Sequence, residues 1–123
     1  MSVRAIRGAT TLKVDSADEM ADAVIELLET LFSANELDLS EVISILFTST
    51  PDLTSQFPAT AARSKRPDLL GNIPLICASE VDVPGALART IRVLVHVNTD
   101  QSQSQMKHQY LRGALALRPD IAQ

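Results

Sequence analysis

The chain has 123 residues, 46% of them hydrophobic and 21% charged, with a net charge of −4; this is the make-up of one folded domain, residues 1–123, with enough apolar mass for its own core. The acidic balance excludes the basic footprint of nonspecific nucleic-acid binding. A single cysteine, Cys77, and two scattered histidines provide neither an internal disulfide nor a zinc ligand set, and no apolar run approaches the length of a membrane span.

The first residues, Met-Ser-Val-Arg-Ala-Ile-Arg-Gly, carry no long apolar signal region, so a cytoplasmic location is expected. Residues 3–14 are rich in Val, Ile and Thr and read as a first strand, with Gly8 a bulge or a point of close approach. Arg4 and Arg7 are three apart, so an undistorted strand sends them to opposite faces. Ser16-Ala17-Asp18-Glu19 is a capping-box pattern. Met20, Val24, Leu27, Leu28 and Leu31 then form one helical stripe, and Asn35 is a plausible stop. A turn at Leu39 and Ser40 leads into an apolar second strand, residues 42–48, closed by Ser49-Thr50-Pro51-Asp52.

Phe57-Pro58 opens a short helix that continues through Arg63. Residues 64–68 read as a polar, basic loop. Residues 73–78 form a third strand, and Pro74 at its start favours an edge position. Residues 85–90 have room for one or two helical turns. Ile91, Val93, Val95 and Val97 then alternate with Arg92, Leu94 and His96, a strand with a β-branched face. Arg92 is thereby fixed on a rigid element and needs a partner, either Glu80 or an anionic ligand. Residues 98–105 are polar, a loop or the start of a helix. Residues 106–117 fit both helical spacing and strand alternation in part, which leaves their type open, and Arg118-Pro119-Asp120 ends the fold. The expected architecture is α+β: a mixed sheet with helices packed on one face, ferredoxin-like, with exposed edges and one apolar face that oligomerisation would cover.

Taken together, Arg4-Ala5-Ile6-Arg7-Gly8-Ala9-Thr10-Thr11, Thr50-Pro51-Asp52-Leu53, Phe57-Pro58-Ala59 with Arg63, Pro74-Leu75-Ile76-Cys77 with Glu80, Ile91-Arg92-Val93, and Tyr110-Leu111 with Leu117-Arg118-Pro119-Asp120 resemble the monofunctional α/β-class chorismate mutases in order and spacing. That resemblance implies a homotrimer, a trimeric pseudo-barrel with active sites between subunits. It also implies the rearrangement of chorismate to prephenate on the way to phenylalanine and tyrosine. The reaction is a pericyclic Claisen rearrangement, for which no cofactor and no metal are expected. It needs a folded substrate and charge placed where charge develops.

By the same resemblance, Arg92 donates to the ether oxygen and a carboxylate, and Glu80 faces the ring hydroxyl and the developing positive charge. Arg7 binds a carboxylate, Tyr110 adds a phenolic hydrogen bond, Cys77 lines the pocket near the ring hydroxyl, and Leu117 completes an apolar wall. Phe57 and Arg63 come from the neighbouring subunit. Thr60 stands where the family pattern leads one to expect Lys, Ile76 replaces a polar residue before Cys77, and residues 64–72 form a longer loop with no aromatic residue. Two other readings fit a strand Arg at a subunit cleft: a trimeric imine-hydrolysing enzyme, with Glu80 placing a water, and a non-catalytic regulatory trimer that binds a metabolite through Arg7 and Arg92.

Overall fold

The computed structural model describes residues 1–117; the expected stop at residues 118–120 lies outside them. The elements are strands β1 (Ser2–Thr11), β2 (Val42–Ser49), β3 (Leu75–Ser79), β4 (Thr90–Thr99) and β5 (Gln109–Tyr110), with helices α1 (Ala17–Ala34), α2 (Pro58–Lys65) and α3 (Pro67–Leu70). They form a five-stranded mixed sheet in the order β3-β2-β4-β1-β5.

β4 lies between β1 and β2 and is antiparallel to both. β2 and β3 are parallel, because α2 and α3 carry the chain back across the sheet between them. The mixed α+β architecture is as expected, but the ferredoxin-like arrangement is not: the chain runs β1-α1-β2-α2-α3-β3-β4, and its helical crossover makes β2 and β3 parallel neighbours.

The helical stripe folds as α1 because its apolar residues recur on one face. Met20, Val24, Leu27, Leu28 and Leu31 are fully buried against Ile6, Ile45, Phe47, Val93, Val95 and Val97 of the sheet. Each such side chain contributes roughly 1.5–3 kcal/mol on burial. The Ser16 hydroxyl caps α1 by accepting from the Glu19 amide. The reciprocal half of the expected box is absent, since the Glu19 carboxylate reaches past Ser16 to the Lys13 amide. Asn35 ends the helix, its side chain donating to Leu31 O and Lys107 O and accepting from the Lys107 amide.

Three local expectations change. Residues 64–68 are not a loop: α2 runs on to Lys65, and Pro67, preset for a first turn, opens α3. Residues 85–90 are not helical; Gly85 (φ 85°) and Arg89 (φ 48°) turn the chain sharply into β4. Residues 106–117 contain both types of structure, the short β5 and a 3-10 turn over Arg112–Ala116.

Candidate active site

Alternation along β4 decides which side chains meet. Ile91, Val93, Val95 and Val97 point into the helix-side core. Arg92, Leu94 and His96 therefore lie on the opposite face. There Arg92 sits across from Ala9 on β1 and Thr48 on β2. The row continues from Ala9 to Tyr110 on β5 and from Thr48 to Ala78 on β3. Residues in register share a face, with Cβ atoms roughly 5 Å apart, so one row crosses the sheet as Tyr110, Ala9, Arg92, Thr48 and Ala78.

Glu80 follows β3 directly, and its amide donates to Ser49 O at 2.9 Å. This brings its carboxylate back over the row. Arg92 Nε donates to Glu80 Oε1 at 3.3 Å and Oε2 at 3.2 Å, and Thr48 Oγ1 donates to Oε2 at 2.7 Å. The Glu80 side chain is 16% exposed and that of Arg92 is 47% exposed. A pair this accessible adds little to stability; its effect is directional. Both hydrogen bonds from Arg92 use Nε, and among the described residues its two terminal nitrogens make none. A guanidinium is thus held by its inner edge, and among the described residues its outer edge is left without a partner.

Arg7 lies two residues before Ala9 on the same face, with its Cα about 8 Å from that of Arg92, given the strand spacing and rise. Its side chain is exposed, and its amide donates to His108 Nδ1 at 2.9 Å. Arg4, on the other face, donates from Nε to Gln101 O. Tyr110 is 4% exposed and packs with Ala9, Ala114 and Leu117 in a small cluster at the β5 edge. Arg92, Glu80, Arg7, Tyr110 and Leu117 are therefore gathered on the face that the α-helices leave open.

The other expected residues lie elsewhere. Cys77 shares the helix-side face with Phe47 and packs against the core. It lines a cleft of about 500 Å3 at the ends of β2 and β3, together with Thr50, Leu53, Phe57 and Ser79. Phe57 precedes α2 and is 68% exposed, and Arg63 is exposed on the outer side of that helix. A second recess, of about 830 Å3, is lined by Leu12, Glu19, Arg89 and Arg112 among others and holds none of the expected site residues. Neither recess encloses Arg92 and Glu80.

Asp52, in the turn after β2, accepts from the Thr50 hydroxyl and from the Arg89 amide and so fixes the entry to β4. Partial burial pushes its carboxyl up, but the hydrogen bonds from Thr50 and Arg89 outweigh that and hold it below its ordinary value. Two residues near the row escaped sequence reasoning. Thr48 looked like any strand threonine, and His108 lay in a stretch of ambiguous periodicity; only the strand register shows what each one touches.

In chemical terms, this face carries two arginines with Cα atoms about 8 Å apart and a carboxylate, with the buried Tyr110 at its edge. That set suits a compact dianion bearing a hydroxyl.

A family model described as chorismate mutase type I matches residues 3–121. Chorismate mutase AroH of Thermus thermophilus is 46% identical over 120 residues, 97% of this chain and 96% of that protein. Chorismate mutase AroH of Bacillus subtilis is 40% identical over 124 residues, covering 99% of this chain and 94% of that one. A solved chorismate mutase from Clostridium thermocellum superposes with a TM-score of 0.84 at 45% identity, over 91% of this chain and 97% of that one.

Proposed function

The chain belongs to the chorismate mutase type I family, and we propose that the sheet face carrying Arg92, Glu80, Arg7 and Tyr110 is where it works. It is an isomerase that converts chorismate to prephenate in aromatic amino acid biosynthesis. The substrate is a dianion whose ether C–O bond breaks as a C–C bond forms. Negative charge builds on the ether oxygen and positive charge on the ring.

Arg92 serves the first charge. Its Nε is held by Glu80, and its terminal nitrogens donate to the ether oxygen and a neighbouring carboxylate. Because the fork is oriented before substrate arrives, little reorganisation is needed as charge develops. Glu80 accepts from the ring hydroxyl and faces the positive charge. Arg7 takes a carboxylate, and the two cations hold the chain of the substrate over its ring, which brings the reacting carbons together. Tyr110 adds a phenolic donor, and Leu117 supplies an apolar wall.

The observation that carries this assignment is the Arg92–Glu80–Thr48 arrangement on a face that no α-helix of the described residues covers. An open face is a poor place to fold a flexible substrate, and Leu46 and Leu94 lie on it beside Ile76, which is 66% exposed on edge strand β3. We read the face as covered in a homotrimer, with Phe57 and Arg63 of the next subunit closing the site and Cys77 flanking it from β3. Among the described residues no helix is long and apolar enough to cross a membrane; with a lone thiol and an acidic surface, the cytoplasm is the compartment we propose.

The ultraviolet loss of chorismate on adding purified protein tests the assignment, with Arg92→Ala as the probe. Removing one such donor costs about 3–4 kcal/mol of transition-state stabilisation, a drop of roughly 150- to 1000-fold in turnover. A loss under about tenfold would remove Arg92 from the role.

A further inference from the structure

We propose that Thr48 is a positioning residue for the rearrangement, its hydroxyl setting the Glu80 carboxylate that in turn aims Arg92. The inference rests on the assignment of Arg92 and Glu80 to the site.

Three anchors hold Glu80. Its amide donates to Ser49 O at 2.9 Å, its Oε2 accepts from Thr48 Oγ1 at 2.7 Å, and both of its oxygens accept from Arg92 Nε. Two of these anchors come from adjacent residues of β2, so the carboxylate is located by a paired strand. Without the hydroxyl, the only side-chain hydrogen bonds to Glu80 among the described residues would come from Arg92, whose own side chain is 47% exposed. The Arg92 bonds, at 3.2 and 3.3 Å, are longer than the Thr48 bond at 2.7 Å. For their types the Thr48 bond is of ordinary length, whereas the Arg92 bonds are long and share one N–H between two oxygens, so Thr48 helps set where the guanidinium finds its partner.

Thr48 is the cross-strand partner of Arg92, so their side chains are neighbours by register and no loop has to order for them to meet. Its single proton goes to Glu80, and among the described residues its oxygen accepts nothing from Arg92. The hydroxyl thus fixes the direction of the carboxylate without competing for Arg92.

The test is Thr48→Val, which keeps the β-branched shape and removes the donor, beside Thr48→Ser, which keeps the donor. Thr48→Val is expected to lower kcat about tenfold with KM changed less than about threefold, the size of one hydrogen bond to a charged group. Thr48→Ser is expected to stay within about threefold of the native kcat, at unchanged Tm in both variants. In a Glu80→Gln background Thr48→Val is expected to cost much less, because its effect runs through the carboxylate. If the valine disturbs packing and lowers Tm, Thr48→Ala compared with Thr48→Ser at one temperature gives the same reading. A native kcat in both Thr48→Val and Thr48→Ala, with Arg92→Ala still crippled, would overturn the role of Thr48 alone. A native kcat in Arg92→Ala and Glu80→Gln would overturn the site itself. Equal losses in Thr48→Ser and Thr48→Val would assign the position to packing.

Discussion

Gly8 occupies a slot that a side chain would crowd. A Cβ there would lie 3.1 Å from Leu27 Cδ1, 3.1 Å from Val93 Cγ2 and 3.2 Å from the carbonyl oxygen of Gln109. The last contact is backbone of β5, which cannot retreat without carrying Tyr110 with it. Gly8→Ala is expected to destabilise the fold by about 1–3 kcal/mol through overpacking, read as a lower urea midpoint at constant slope. A midpoint equal to the native one would mean that β5 has slack and does not fix Tyr110. The sequence marked Gly8 as a bulge or a close approach, and the unbroken β1–β4 register selects the second. Arg92 could be read from its strand alone, because a two-residue period needs only neighbours in sequence. Thr48 could not: a strand threonine means nothing until long-range pairing puts it opposite Arg92 and the chain returns with Glu80.

The same division between local and distant information separates the elements that were legible from those that were not. α1 announces itself by five apolar residues on one stripe, and its serine cap forms as written. The missing half of its capping box, where Glu19 turns to Lys13, depends on how β1 meets the helix. Residues 64–68 look polar because they lie on the outside, but only Arg66 (φ −136°, ψ 71°) leaves the helical region, between the end of α2 and the start of α3, and it pairs with Glu29 and Asp68. The stretch from β2 to α2, which delivers Phe57, is clasped by two carboxylates. Asp15 accepts from the Thr54 and Ser55 amides, and Asp52 from the Thr50 hydroxyl and the Arg89 amide. The Thr54 amide is the main cause of the lowered Asp15 value, while Asp52 is lowered against its burial. Both folded values lie below the ordinary 3.8. Their stabilisation is therefore complete above that value and is lost as pH falls through the folded ones. Acidification from about pH 5 to about pH 2 is expected to speed amide exchange at Thr54 and Ser55 beyond the intrinsic pH effect. Asp15→Asn is expected to do so already at neutral pH. Protection that survives both changes would mean that packing of Leu53, not the carboxylate, holds the segment.

In the proposed homotrimer, the position of Phe57 would decide how the subunits share the work. Within its own chain it lines the same cleft as Cys77, three residues before Glu80, yet the residue is 68% exposed and its own chain leaves it largely uncovered. In the proposed trimer that exposure leaves its ring free to close a site on another copy. The open sheet face with Arg7 and Arg92 is a natural recipient. If each site draws Arg92 from one subunit and Phe57 and Arg63 from the next, two inactive variants contain complementary halves. Refolding Arg92→Ala chains with an equal amount of chains lacking both the Phe57 and Arg63 side chains would give mixed trimers. About one site in four would then hold both intact sets, and activity is expected to rise from near zero toward a quarter of native. An Ile76→Asp chain, charged on the exposed edge strand, is expected to sediment as a monomer and to turn over no chorismate. If mixing restores nothing while each parent still forms trimers, Phe57 closes the cleft of its own chain, and the sheet face is covered for stability rather than for catalysis.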